Sequence, residues 1–327
     1  MPTPLTIRSH LSPTQVYNAA TESARGKIME PWWRHMSAAV LGGFWVFLWG
    51  HGCTVGAGRF FDVGTANETD SYAVATLIYG IVFPTCFAAI TFSGADLFTA
   101  CCMSGMVYAA TGPKDWRHYV DVLRLWAQAF AGNLVGIVVL CGLVGHLGGE
   151  YRDHSSRSWQ YLCHLAKGKV GEDFIESFVN AIACNMCVCL ASWTLYMSQD
   201  VAGKFYGIIF PVLVFCIGGY QHVVANLFTL TQALMEDCGV SYSEVFGNIC
   251  PVLLGNIAGG CFIFAGMTVV LLYPGTDDYG VDYEWFRPDR NKTKSEYLEK
   301  ESMENLPDLE KHGSPSLSSI SHSQQSL

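Results

Sequence analysis

The sequence predicts an all-α polytopic membrane protein of six transmembrane helices, arranged as two inverted halves of three with one broken helix in each. Three observations carry this expectation: an apolar, glycine-rich composition, two uncharged stretches too long for one ordinary span, and motifs that recur in both halves. Half of the 327 residues are hydrophobic, 33 are glycine and only 14% are charged, which is too apolar for an average soluble domain.

The first 35 residues contain Arg8, Arg25, Lys27 and Arg34 and no apolar core, so they read as a cytoplasmic segment rather than a signal peptide. Stretches free of Asp, Glu, Lys and Arg then run from Met36 to Gly58, Ser71 to Ala95, Leu97 to Pro113, Leu125 to Gly149, Ser177 to Gln199, Phe205 to Met235 and Val245 to Thr276. A bilayer core is crossed by roughly 20 helical residues. A continuous helix from Ser71 to Pro113 would be roughly 65 Å long, and one from Phe205 to Met235 roughly 46 Å. Each must be broken, bent or re-entrant.

The breaks fall at Phe92-Ser93-Gly94-Ala95-Asp96 and at Cys216-Ile217-Gly218-Gly219-Tyr220-Gln221-His222. Both combine glycine with polar residues, and non-helical backbone at membrane depth survives only where protein or a water-filled path surrounds it. Asp96-Leu97-Phe98-Thr99 echoes Asn226-Leu227-Phe228-Thr229, which makes Asp96 and Asn226 the expected caps of two half-helices. Asp96 has a second reading as a cation or proton site. Gly132-Asn133-Leu134-Val135-Gly136 recurs as Gly255-Asn256-Ile257-Ala258-Gly259, a spacing that permits close helix crossings. Three spans per half force the second half to insert upside down, with the site near the midplane. The expected organisation is a transmembrane domain over 36–273, with repeats at about 36–149 and 170–273, and a disordered cytoplasmic tail over 274–327.

Positive charge sets the orientation. With the N-terminus inside, inner segments carry 14 Lys and Arg against 5 outside, so both termini are expected in the cytoplasm, and the membrane is expected to be the plasma membrane. The formal charge of −9 describes the tail more than the rest, because Asp277 to Leu327 holds 11 acidic and 6 basic side chains. Asn67-Glu68-Thr69 is a glycosylation sequon in an outer loop. Of 13 cysteines, Cys86, Cys101, Cys102, Cys141, Cys184, Cys187, Cys189, Cys216, Cys250 and Cys261 fall in apolar stretches and read as small buried hydrophobes. Cys184, Cys187 and Cys189 lack a second ligand pair for zinc. No metal, cofactor or nucleic-acid motif and no nucleophile–base set appears, which excludes an enzyme.

His222 is the foremost candidate, an ionisable side chain in the second break within an otherwise uncharged stretch. The alternative is a neutral histidine satisfied by a carbonyl or by Asn185 and Asn226. Ser93, with Gly94, holds the expected matching place in the first break. Half-helix N-termini aimed at the centre favour an anion or an oxygen-rich solute. Leu77, Ile81, Val188 and Phe215 flank the breaks and are expected to form dry constrictions that reject bare ions and pass a protonated acid. Lys169 and Lys27, placed at the two mouths, are expected to attract carboxylates.

Three ordered motifs, Ser93-Gly94-Ala95-Asp96-Leu97-Phe98-Thr99, Ala183-Cys184-Asn185 with Val188-Cys189-Leu190-Ala191, and Gly219-Tyr220-Gln221-His222-Val223-Val224-Ala225-Asn226, resemble the formate–nitrite transporter family over about residues 25 to 273. The chain is most similar to the apicomplexan branch, whose members export lactate with a proton. The resemblance implies a homopentamer with one aquaporin-like pore per protomer and a separate central hole. It places the family's central histidine on His222, its loop threonine on Ser93, its constrictions on Leu77, Ile81, Val188 and Phe215, and its vestibule lysines on Lys169 and Lys27. Gly94 resembles a position where backbone room matters for inhibitor binding. The implied activity is proton-coupled passage of small monocarboxylates (L-lactate, also formate, acetate and pyruvate) as neutral acids. The alternatives are a formate or nitrite anion channel, a water or glycerol pore, which the absence of an Asn-Pro-Ala pair at the breaks disfavours, and a nontransporting receptor.

Overall fold

The structure, a computed structural model, describes residues 10–62, 64, 68–112 and 115–272. Arg8, Asn67 of the sequon, Lys114 and the tail expected over 274–327 lie outside the described residues.

The chain opens with α1 (Pro13–Met29), whose start is written in the sequence: Ser12 accepts from the Gln15 N–H while the Gln15 side chain accepts from the Ser12 N–H. Its apolar stripe buries Val16, Tyr17, Ala20, Ala24 and Ile28, spaced as one face of a helix. The first span, α2 (Trp32–Gly58), follows. Next come α3 (Glu68–Val82) and α4 (Thr85–Phe92), separated at Phe83-Pro84, and then the half-helix α5 (Phe98–Thr111) beyond the first break. The first half closes with α6 (Trp116–His146), which ends in π-helical turns from Cys141 to His146.

The second half repeats this order. A second amphipathic helix, α7 (Arg157–Gly171), begins where the Ser156 side chain accepts from the Trp159 N–H. Then follow the span α8 (Phe174–Met197), the broken pair α9 (Val201–Ile217) and α10 (Val223–Met235), and the closing span α11 (Tyr242–Leu272), again with π-helical turns, from Ala258 to Ala265. The repeat therefore includes an amphipathic helix in front of each set of three crossings. Three crossings separate the start of α2 from the start of α8, so α1 and α7 lie on opposite faces of the bundle. Among the described residues no sheet forms; the only pairing outside helices is an isolated bridge between His10 and Ser198.

Packing obeys the same pseudo-symmetry. The most extensive helix pairings are α2 with α6 and α8 with α11. Glycine permits both: a Cβ on Gly136 would collide with the Val40 carbonyl oxygen, and one on Gly259 with that of Ile182. The ten cysteines of the apolar stretches are free thiols, as is Cys53. Cys163 and Cys238 form a disulfide that ties α7 to the segment after α10.

Candidate functional site

Two buried asparagines hold the breaks. In the first half, Asn133 Oδ1 accepts from the Phe98 N–H at 2.9 Å, and its Nδ2 donates to the carbonyls of Ala39 and Asp96 at 2.7 and 2.8 Å. In the second, Asn256 Oδ1 accepts from the Val223 N–H at 2.8 Å, and its Nδ2 donates to the carbonyls of Ala181 and Gln221 at 2.8 and 3.0 Å. Each asparagine thus clamps the start of a half-helix, the residue two before it and the first span of its own half. Gly94 and Gly219 both take positive φ, +74° and +70°, and each provides the left-handed turn its break requires.

These bonds fix the register of the repeat. Asp96 corresponds to Gln221, Leu97 to His222 and Phe98 to Val223. The Leu-Phe-Thr echo is therefore out of register with the fold, and the expected caps are corrected. Leu97 holds the cap position of α5 and supplies no side-chain bond. The cap of α10 is His222, whose Nδ1 accepts from the Ala225 N–H at 3.1 Å. Asn226 lies inside α10 and donates to Gln221 Oε1 at 2.6 Å and Asn248 Oδ1 at 2.9 Å. Asp96 caps nothing, because its carboxylate is engaged by Lys27 and His35.

The capping bond also fixes the His222 tautomer. An Nδ1 that accepts a hydrogen bond carries no proton, so a neutral ring holds its proton on Nε2. That N–H donates to Thr99 Oγ1 at 2.9 Å, joining the two half-helices at their first turns. The ring stacks on Phe215 with centroids 5.5 Å apart and is 3% exposed. Thr99, rather than Ser93, is the hydroxyl that meets His222. Ser93 accepts instead from Trp45 Nε1 at 2.8 Å, and neither Ser93 nor Gly94 lines either cavity that reaches His222. Asn185 is buried and donates to the Asn256 carbonyl at 2.6 Å, a support for the clamp.

His222 stands at the boundary of two spaces. On the α7 side a vestibule of about 210 Å³ is lined by Tyr72, Tyr79, His164, Lys169, Glu172, Asn226 and Thr229, among others. On its other side a gap of about 20 Å³ is walled by apolar side chains and His222 alone as a polar one, among them Phe83, Phe87, Ile90, Leu97, Val188 and Phe215. That gap has room for about one water and few partners for it. Val188 and Phe215 fall where the sequence expectation put them. Leu77 and Ile81 do not: they are 49% and 53% exposed on α3 and line neither cavity. The interruption at Phe83-Pro84 defeats counting turns back from Ser93 along one helix, and Phe83 and Ile90 close the passage instead.

The two lysines occupy matching places near the ends of α1 and α7 but differ in charge state of their surroundings. Lys169 Nζ donates to the carbonyls of Gly219 and Tyr220 at 2.9 and 3.2 Å and, among the described residues, has no carboxylate in salt-bridge contact. Burial holds its pKa below the usual lysine value, with Glu172 opposing. Lys27 is not a free vestibule cation; it forms an ion pair with Asp96. His35 Nε2 lies 3.3 Å from the same carboxylate and His35 Nδ1 3.1 Å from Gln128 Oε1. Among the described residues His35, Asp96 and Cys101 are the one group with metal-ligand proximity, and the Lys27 ammonium already supplies that cluster with a cation.

Sequence reasoning missed Thr99, Phe83, Ile90, Leu97 and His164. Thr99 closes the Ser93–Thr99 motif, but the Leu-Phe-Thr echo aligns it with Thr229 and so hides its meeting with His222. His164 belongs to a helical stripe on α7, Tyr161, His164, Leu165, Gly168 and Lys169, that faces the vestibule together with Glu172 just past the helix end.

Comparison with known proteins accords with this geometry. The profile of the family described as formate/nitrite transporter matches residues 14–270. A formate-nitrite transporter of Plasmodium knowlesi is 31% identical over 293 residues, covering 88% of this chain and 90% of that one. Formate-nitrite transporter 3 of Toxoplasma gondii is 34% identical over 240 residues, covering 72% of this chain and 46% of that one. Two solved structures share the fold. One, an FNT family ion channel, has a TM-score of 0.67 at 24% identity and covers 80% of this chain and 100% of its own; the other, a pentameric formate channel with formate bound, has 0.61 at 20% identity, with 74% and 97% covered. The profile over residues 14–270 and relatives of 31% identity across most of the chain show the family: the chain belongs to the formate/nitrite transporter family, integral membrane transporters rather than enzymes.

Proposed function

We propose that this transporter carries small monocarboxylates, L-lactate together with formate, acetate and pyruvate, each with a proton and in the neutral form. The observation that carries the reading is a neutral histidine placed between a vestibule with a lysine and a dry gap. Lys169 raises the local concentration of carboxylate. As the carboxylate sheds water its pKa rises, and it takes a proton from vestibule water. His222 serves as a fixed donor and boundary rather than as the proton carrier, because a second proton on its ring would have to go to Nδ1 and break the cap of α10. The neutral acid crosses the gap between Phe83, Ile90, Val188 and Phe215, where an anion is penalised by desolvation, and ionises beyond it.

The same reading sets both termini in the cytoplasm and the vestibule of Lys169 outside, following the excess of positive charge on the inner segments, and takes the membrane to be the plasma membrane. It also makes the protein a homopentamer, as the formate channel that shares its fold is described to be. The wide apolar surface of single protomers, Phe210, Val214 and Phe262 among them, is available to lipid or to neighbouring protomers.

The test is uptake of labelled L-lactate and formate into proteoliposomes with an inward pH gradient and with the gradient collapsed, current being recorded in parallel. Gradient-dependent uptake without current is expected. Uptake indifferent to the gradient and accompanied by current would establish an anion channel instead.

A further inference from the structure

We propose that His164 is a second carboxylate-recognition residue of the vestibule, acting with Lys169 when its ring is protonated. The inference rests on the monocarboxylate reading and deepens it. Both residues lie on the stripe of α7 that faces the vestibule, and His164 stands among its aromatic lining. The imidazole is packed against Tyr72 and Phe61, with ring centroids 4.7 and 5.0 Å away, surroundings that accept a cationic ring better than aliphatic ones would. No hydrogen bond to another side chain or to the backbone holds the ring nitrogens in the described structure, which leaves them for water or solute in the cavity.

The groups around His164 set the sign of its response. Glu68 and Tyr72 face it from α3 and Phe61 from the segment after α2, while Tyr161 of its own helix packs on the same Phe61 and Tyr72 rings. Lys169, Glu172 and His222 line the same cavity. Burial pushes the His164 ring below the usual histidine pKa, and Glu68 acts in the opposite direction. The ring is then neutral at neutral pH and gains charge only as the vestibule acidifies. A cation appears beside Lys169 on the acidic side, where inward proton-coupled uptake runs fastest. The residue is a recognition group: it changes how well the vestibule gathers anions and leaves the passage at the gap untouched.

The experiment uses the full chain in proteoliposomes with the α7 face outward, and measures KM and maximal rate for labelled formate and L-lactate from about pH 7.5 to about pH 5 outside, the range in which histidine titrates. For His164→Gln, the KM relative to wild type is expected to stay near unity at neutral pH and to rise about fivefold at the acidic end, the effect of one charge near water-filled space. His164→Lys should hold KM low across the whole range, and the maximal rate should be unchanged in both. A purely structural role would shift KM by the same factor at every pH, and that result, or no shift at all, overturns the proposal. If wild type moves neither carboxylate, the transport reading fails and this proposal with it; a flat KM ratio in a working transporter removes only the role of His164.

Discussion

Leu97 and His222 occupy the same place in the two repeats: each immediately precedes a half-helix whose first N–H, that of Phe98 or Val223, is held by the buried Asn133 or Asn256. The fold treats the two positions alike, and the chemistry does not. A leucine at the first leaves an apolar wall of the gap; a histidine at the second caps its helix and reaches Thr99 across the molecular midline.

The asparagine clamps are expected to be mechanically equivalent. Asn133→Leu and Asn256→Leu each remove three buried hydrogen bonds and strand one N–H, that of Phe98 or Val223, and one break carbonyl, that of Asp96 or Gln221, at a cost of about 1–3 kcal/mol per unsatisfied group, while the Ala39 and Ala181 carbonyls keep their helical partners. Comparable losses of thermal stability in detergent should appear for both. Only Asn256→Leu should also displace α10 and with it His222.

His222→Ala removes the α10 cap and the bond to Thr99, and should cost about 1–2 kcal/mol. His222→Asn keeps a capping acceptor, since asparagine is a favoured N-cap, and should recover roughly the capping share. Thermal melts of the purified variants separate the two: equal melting points for Ala and Asn would mean that the cap contributes nothing.

The two lysines should fail in different ways. Lys169→Met removes a vestibule cation and should raise KM, with a weaker salt dependence than wild type. Lys27→Met leaves the Asp96 carboxylate, 8% exposed, without its ammonium, and breaking such a pair costs about 3–5 kcal/mol. Its defect should therefore be in folding yield, and the double change Lys27→Met with Asp96→Asn should restore much of it.

Truncations around the passage sort the walls from the bystanders. Phe83→Ala and Val188→Ala open the dry gap and should admit water and ion leak, measured as current at zero substrate. Leu77→Ala and Ile81→Ala alter exposed positions on α3 and should leave both leak and substrate uptake within error of wild type.

These contrasts mark what could be read in advance. Spans and breaks were legible because charge exclusion from a bilayer and helix length leave few choices. Lys169 and His222 were legible for the same reason, each being an ionisable side chain conspicuous in an apolar setting, whereas Val188 came from the resemblance and not from its chemistry. Register was not, because Leu-Phe-Thr is a pattern that any apolar helix start can carry, whereas equivalence is fixed by the hydrogen bonds of Asn133 and Asn256. The better marker was the Gly-Asn-x-x-Gly echo, whose members touch the same groups in both halves. The amphipathic helices α1 and α7 escaped notice because one face of each is polar, and an amphipathic stretch fails any test for uncharged runs. Their capping residues Ser12 and Ser156 would have revealed both.

The Cys163–Cys238 bond has a consequence for sidedness. Such a bond persists in oxidising compartments and is reduced in the cytosol of most cells, so it acts as a compass for the molecule. It supports placing α7, with Lys169 and His164, on the non-cytosolic face, by a route that owes nothing to the distribution of arginine and lysine. Trapping of free thiols in intact cells reads the compass: Cys163 and Cys238 should resist alkylation until a membrane-impermeant reductant is added from outside.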